Sequence, residues 1–292
     1  MGASGDHPPA MTSLSLNTTE FTLVVGAGSL FAGLLGSLTG LGGGVVIVPM
    51  LTLLFGIDFR YAVGASLVSV IATSSGAAAA YVREGYTNIR IGMFLEVATT
   101  IGAITGAALA GLIPTSVLAV ILGLVLLYSA ALAALRTQEH VVATPDALAA
   151  KLRLDGSYPS LTGEREYHVQ HVRLGFGLML GAGGLSGLLG IGSGALKVLA
   201  MDQAMCLPFK VSTTTSNFMI GVTAAASAGI YLARGYVDPG IAMPVVLGVL
   251  AGSTLGTRVL ARTRSAPLRA LFAVVIAVLA VQMILSGIRG GI

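Results

Sequence analysis

Charge is scarce in this chain and thiols are nearly absent. Only 10% of the 292 residues are Asp, Glu, Lys or Arg, and Cys206 is the single cysteine. One thiol excludes an internal disulfide and a thiolate-rich metal site, and Cys206 reads as a small buried apolar filler. The four histidines, His7, His140, His168 and His171, all fall in polar segments. No imidazole is therefore left for a catalytic dyad inside an apolar stretch. The first twenty residues hold no Lys or Arg, so the basic start of a cleaved signal peptide is missing. Residues 1–20 read instead as an extracytoplasmic polar tail. A net charge of +4 is weak evidence for nucleic acid, and the basic residues read better as topology signals.

What is abundant is apolar surface, with 55% hydrophobic residues and a mean hydropathy of +0.90. These values lie outside the range of soluble domains and predict an all-α polytopic membrane protein. The stretches 22–55, 62–82, 91–113, 116–135, 174–207, 211–233, 241–260 and 268–288 are apolar enough to lie in lipid. The first and fifth run to about 34 residues, which as one straight helix would reach roughly 50 Å against a hydrocarbon core of about 30 Å. Each is too long for one span, and each has glycines in its middle: Gly40-Leu41-Gly42-Gly43-Gly44 in one, Gly190-Ile191-Gly192-Ser193-Gly194 in the other. Glycines three or four apart also suit close helix packing. Three adjacent glycines at 42–44 exceed what a helix crossing needs and predict unwinding.

Placing Gly40 on Gly190 starts an alignment in which Ser66 falls on Thr214, Ser69 on Asn217, and Gly102 with Gly106 on Gly248 with Gly252. The chain thus reads as two transmembrane repeats, 21–135 and 172–292, joined by a polar linker loop over 136–171. Basic residues concentrate in cytoplasmic loops. If both long stretches turn back at their glycines, twelve basic residues share the linker's side against Arg60, Arg234 and Arg289 opposite; if both cross once, the split is nine to six. The hairpin version is preferred, with a cytoplasmic linker and a second repeat inverted relative to the first. Each repeat is then a glycine-broken helical hairpin plus three transmembrane helices. Inverted halves can open a central site to either side in turn, which is the layout of a transporter in the cytoplasmic membrane.

The predicted site follows from the breaks. A helix start presents unpaired N–H groups and partial positive charge, so two of them facing one cavity would receive an oxyanion. Gly42, Gly43 and Gly44, with Gly192, Ser193 and Gly194, are the expected lining. Lys197 stands three residues past Gly194 in an uncharged stretch, where an ammonium needs a counter-charge or an anionic ligand. It either meets the solute, snorkels to the interface or pairs with Asp202. Ser66, Ser69 and Thr73 make one hydroxylated stripe, and Thr213, Thr214, Ser216 and Asn217 lie in a run of six polar residues. These are expected to face a pathway or binding site. Glu96, the one carboxylate well inside a predicted span, either relays a proton for coupling or balances a basic residue of a neighbouring helix. Asp58, Asp202 and Asp238 are expected to be solvated at loop ends.

The repeated Gly-x-Gly-Gly-Gly element with Pro49 downstream, the Gly64-Ala65-Ser66 start of the next helix and the tandem halves resemble the sulfite exporter TauE/SafE family of membrane transporters. The second copy departs from the pattern at Ser193, Lys197 and Leu199. The resemblance implies movement of small sulfur-containing anions such as sulfite, or organosulfonates such as sulfoacetate, with proton coupling plausible. The expected partners are the lipid bilayer and a small anionic substrate, with no cofactor and no metal. A passive channel for small anions or neutral solutes is the alternative. An intramembrane protease would need glycine at 191 and a histidine to activate Ser193, and a dinucleotide site would need a soluble strand–turn–helix unit.

Overall fold

The computed structural model describes residues 17–39, 43–83, 86–134, 146–160, 163–260 and 265–292. The helices follow the apolar stretches: α1 (Thr18–Thr39), α2 (Gly44–Phe55), α3 (Phe59–Arg83), α4 (Ile89–Ala110) and α5 (Thr115–Ala134) in the first half. The second half has α7 (Val172–Leu189), the short α8 (Gly194–Leu199) prolonged by a π-helical turn over Ala200–Ala204, then α9 (Phe209–Ala233), α10 (Pro239–Leu260) and α11 (Ser265–Arg289). Among the described residues, α4, α7 and α9 are each long and apolar enough to cross a membrane. Most of α2, from Gly44 to Thr52, is buried, so it lies inside the bundle with Pro49 in its middle.

Both long stretches are broken, and both turn back. The ring of Phe21 near the start of α1 stands edge-on to Phe55 at the end of α2, 6.0 Å between centroids. In the second half the amide of Gln170, just before α7, donates to the carbonyl of Met205, just after the π turn, at 3.1 Å. Each hairpin therefore leaves at the end where it entered. The break between α7 and α8 uses left-handed backbone at Gly190 (φ 68°), Gly192 (φ 71°) and Ser193 (φ 46°). Two of these positions are glycines because only there does an absent Cβ remove the steric penalty.

Contacts between the halves come in exchanged pairs. Helix α1 packs on α10 as α4 packs on α7, α3 meets α10 as α4 meets α9, and α3–α9 and α5–α11 are their own counterparts. The register is uniform. Arg60 lies over the ring of Tyr236 at 5.7 Å and Lys210 over Tyr86 at 5.1 Å, and adding 150 to the first half's residue in each pair gives the second half's residue in the other. The same shift relates Gly102, which abuts the carbonyl of Leu180, to Gly252, which abuts that of Leu30. A Cβ at either glycine would strike that backbone oxygen, so these seams are built main chain against main chain. The alignment read from sequence is corrected here: Gly102 answers to Gly252 rather than Gly248, one helical turn further on. Ser66 answers to Ser216 rather than Thr214.

The linker is a small folded module where the sequence suggested a loop. Helix α6 (Ala147–Leu152) is followed by an antiparallel hairpin of β1 (Gly156–Ser160) and β2 (Gly163–Tyr167). Ala149, Leu154, Tyr158, Tyr167 and Val169 bury themselves with Ile91 of α4 and Val172 of α7, too few apolar residues to show periodicity but enough to anchor the module. Asn88 ties it down: its side chain caps α4 through the amide of Ile91 and donates to the Leu154 carbonyl (3.0 Å) and the Tyr167 hydroxyl (2.7 Å).

Candidate functional site

The two breaks meet. The hydroxyl of Ser66 on α3 donates to the carbonyl of Gly190 at 2.8 Å and lies 3.4 Å from that of Gly44. A Cβ on Gly44 would sit 2.8 Å from Val70 and 3.2 Å from the Gly190 oxygen, so the approach of the two chains depends on a missing side chain. On the other side Ser216 of α9 donates to the carbonyl of Gly194 at 3.2 Å, repeating across the halves what Ser66 does for Gly44. Gly43 packs against Val249 of α10. Gly42 lies outside the described residues, and Gly192 faces Ile220 and Val70. Ser193, 2% exposed, leaves its hydroxyl without a hydrogen-bond partner among the described residues.

The hydroxylated stripes divide into those that cross to another element and those that do not. Ser69 donates to Ser66 O, Thr213 to Phe209 O and Thr214 to Lys210 O, each on its own helix. Such back-bonding satisfies a hydroxyl without any second element. Thr215 instead accepts from the amide of Asn88, at 3.1 Å. Asn217 is buried in α9.

Lys197 is wholly buried, which removes the snorkelling option. Its ammonium donates to Thr223 Oγ1 at 2.5 Å, and that hydroxyl donates onward to Glu96 Oε1 at 2.7 Å. Thr100 also donates to Oε1, at 3.2 Å, while Glu96 Oε2 is buried with no partner among the described residues. Glu96 thus has its basic neighbour in α8. Thr223 was not singled out in the sequence. The signal was there in the stripe Ser212, Ser216, Thr223, Ser227, which continues the polar face of α9 at helical spacing. Asp202 lies in the π turn, which packs on α7, α8 and α9, and is 3% exposed rather than solvated, whereas Asp58 and Asp238 are exposed and accept from the amides of Arg60 and Gly240 at helix starts.

A bundle of buried-polar, lipid-length helices with broken hairpins defines a multi-pass membrane protein. The family model for the sulfite exporter TauE/SafE matches residues 25–283, and the chain belongs to that family of membrane transporters. It is 28% identical over 276 residues to the probable membrane transporter protein YunE of Bacillus subtilis, covering 92% of this chain and 99% of that one. It is also 29% identical over 220 residues to YdhB of the same organism, another probable membrane transporter protein, covering 75% and 82%. A probable membrane transporter protein of Xylella fastidiosa is 26% identical over 237 residues, covering 80% and 83%. No solved structure matches. The family and these relatives bear the names of membrane transporters.

Proposed function

We propose that this protein is a secondary transporter that moves a small sulfur-containing oxyanion, sulfite or an organosulfonate such as sulfoacetate, across the cytoplasmic membrane by alternating access. The observation that carries it is the meeting of the two glycine breaks within contacts that exchange between the halves at a constant 150-residue shift. Residues 21–135 and 172–292 are then inverted repeats. The side-by-side course of α1 with α10 and of α4 with α7 supports this, since an odd number of crossings separates the repeats. The linker module over 136–171 is cytoplasmic and the 1–20 tail lies outside, because twelve basic residues fall on the linker's side against three. The solute would be received by Gly43, Gly44, Ser66 and Lys197, with Gly42, Ser69, Gly192, Ser193, Gly194, Thr213, Thr214 and Asn217 around them. In the arrangement described Ser66 is engaged with carbonyls, so solute entry requires the two breaks to part. The sulfur in this reading comes from the family's description; the negative charge comes from Lys197 and the helix starts.

Uptake of radiolabelled sulfite and sulfoacetate into proteoliposomes, with and without an imposed pH gradient, tests it. Saturable flux is expected. Gly43→Leu, which drives a branched side chain into Val249, and Lys197→Ala, which strands Glu96, should each lower it by about tenfold or more. Flux that rises linearly with concentration would mean a passive channel.

A further inference from the structure

The buried trio Lys197, Thr223 and Glu96 has no equivalent in the other half. At the positions 150 residues away stand Ile47 for Lys197, Val246 for Glu96 and Thr73 for Thr223, and Ile47 is fully buried. The same place in the fold therefore holds Ile47 and Val246 beside a threonine in one half, and a lysine and a glutamate bridged by a threonine in the other. Packing does not require the charges, and a buried pair is no better for stability than well-packed aliphatics. An ammonium and a carboxylate held in a lipid-embedded bundle mark a transport pathway by default.

The geometry says what the trio can do. Thr223 Oγ1 accepts from Lys197 and stands 2.7 Å from Glu96 Oε1, nearer than the Met219 carbonyl on its own helix at 3.1 Å, so its one hydrogen goes to the carboxylate and the two charged groups meet at a single atom. The groups that face Glu96 are Lys197 of α8, Thr223 of α9, and Thr99 and Thr100 on its own helix; Lys197 is the one charged member among the described residues. Glu96 Oε2, buried and unpartnered, is the open position for a proton. With Glu96 ionised, the trio sums to zero and Lys197 is held by its neighbour. With a proton on Oε2 the carboxyl is neutral, Lys197 is a lone buried cation, and one negative charge from a ligand restores neutrality.

We infer that Glu96, Thr223 and Lys197 tie proton and solute together, taking up one proton on Glu96 and one singly charged oxyanion at Lys197, so that the loaded and empty sites are both neutral. This rests on the transport reading above and narrows it: the solute is a monoanion, hydrogensulfite or a simple sulfonate, and not sulfoacetate, whose sulfonate and carboxylate are both ionised at neutral pH. The step is balanced: carboxylate plus proton gives carboxyl, and the anion replaces the carboxylate as the partner of the ammonium. Thr223 is a positioning residue, since it acts through the groups on either side of it.

Methanesulfonate is the probe, because it carries one charge at every working pH and any pH dependence then belongs to the protein. In proteoliposomes of the full chain, accumulation of labelled methanesulfonate should follow an imposed proton gradient and ignore a membrane potential set by potassium and valinomycin. Counterflow should vary with pH by about 5- to 150-fold in the wild type and by less than about twofold in Glu96→Gln, with gradient-driven accumulation lost. Thr223→Val should shift the pH profile and Thr223→Ser restore it. Flux that tracks the potential, or a Glu96→Gln variant with wild-type pH dependence, overturns the inference, and the wild-type potential measurement holds even if a variant fails to fold. Sulfite transport without methanesulfonate transport overturns the single-charge assignment alone; saturable flux of neither anion overturns the transport reading itself.

Discussion

Ser66 shows how much rests on one hydroxyl. Its hydrogen is shared between carbonyls of both breaks, and without it the buried Gly190 oxygen loses its side-chain partner. Ser66→Ala is expected to cost about 1–3 kcal/mol and to lower the apparent Tm in detergent by roughly 2–10 °C. Ser69→Ala, which removes only a bond to the preceding turn, should stay within about 0.5 kcal/mol. Equal losses in the two variants would mean that the bridge between the breaks is not what holds them. The contrast also marks the limit of sequence reading at this scale. Polar residues at helical spacing were legible as a stripe, but which hydroxyl crosses to another element depends on the facing helix. Thr213 and Thr214 turn back on α9, and Thr223, unremarked in the sequence, holds the charged pair.

At the scale of elements, the hydropathy pattern placed the long helices well, because each needs an unbroken apolar run and lipid imposes its length. The break after α7 was equally legible in Gly190 and Gly192, whose positive φ angles only glycine adopts without strain. The linker was not legible, because its core is a handful of residues completed by α4 and α7. That module makes its own prediction. Asp146 accepts from the amides of Leu148 and Val172, which hold its carboxyl below the ordinary range, while burial pushes the Tyr167 phenol up to about 12. A depressed carboxylate stabilises the fold above its unfolded pKa of about 3.9 and loses that contribution as pH falls through the folded value. A raised phenol leaves stability whole below about 10 and erodes it as pH climbs towards about 12. Hydrogen exchange of residues 146–169 should therefore quicken at both extremes. Tyr167→Phe should remove a tyrosinate absorbance step near 12, and a step at the ordinary phenol value would contradict the buried hairpin.

For the molecule as a whole, the 150-residue shift sets two matching cation–π contacts at opposite ends of the bundle, Lys210 with Tyr86 beside the linker and Arg60 with Tyr236 beside the carbonyl of Ile113. If access alternates as proposed, these two contacts would act as latches of the two entrances. Each contact is worth about 0.5–1 kcal/mol, so removing one should shift the open population on that side by about two- to fivefold. Cysteine labelling at Ser193 with an impermeant thiol reagent checks this in a Cys206→Ser background: Lys210→Ala should speed labelling from the linker's side and Arg60→Ala from the other. Faster labelling from the same side in both would mean that the ends are not alternating entrances.

The one-sided charge has a last consequence. Two halves that trade shapes would be indifferent between inward and outward postures if their interiors were alike, but Ile47 and Val246 are not Lys197 and Glu96. If access alternates as proposed, a de-energised membrane should thus find the protein resting with a preferred orientation written into the chain, a lean that any driving gradient would first have to overcome.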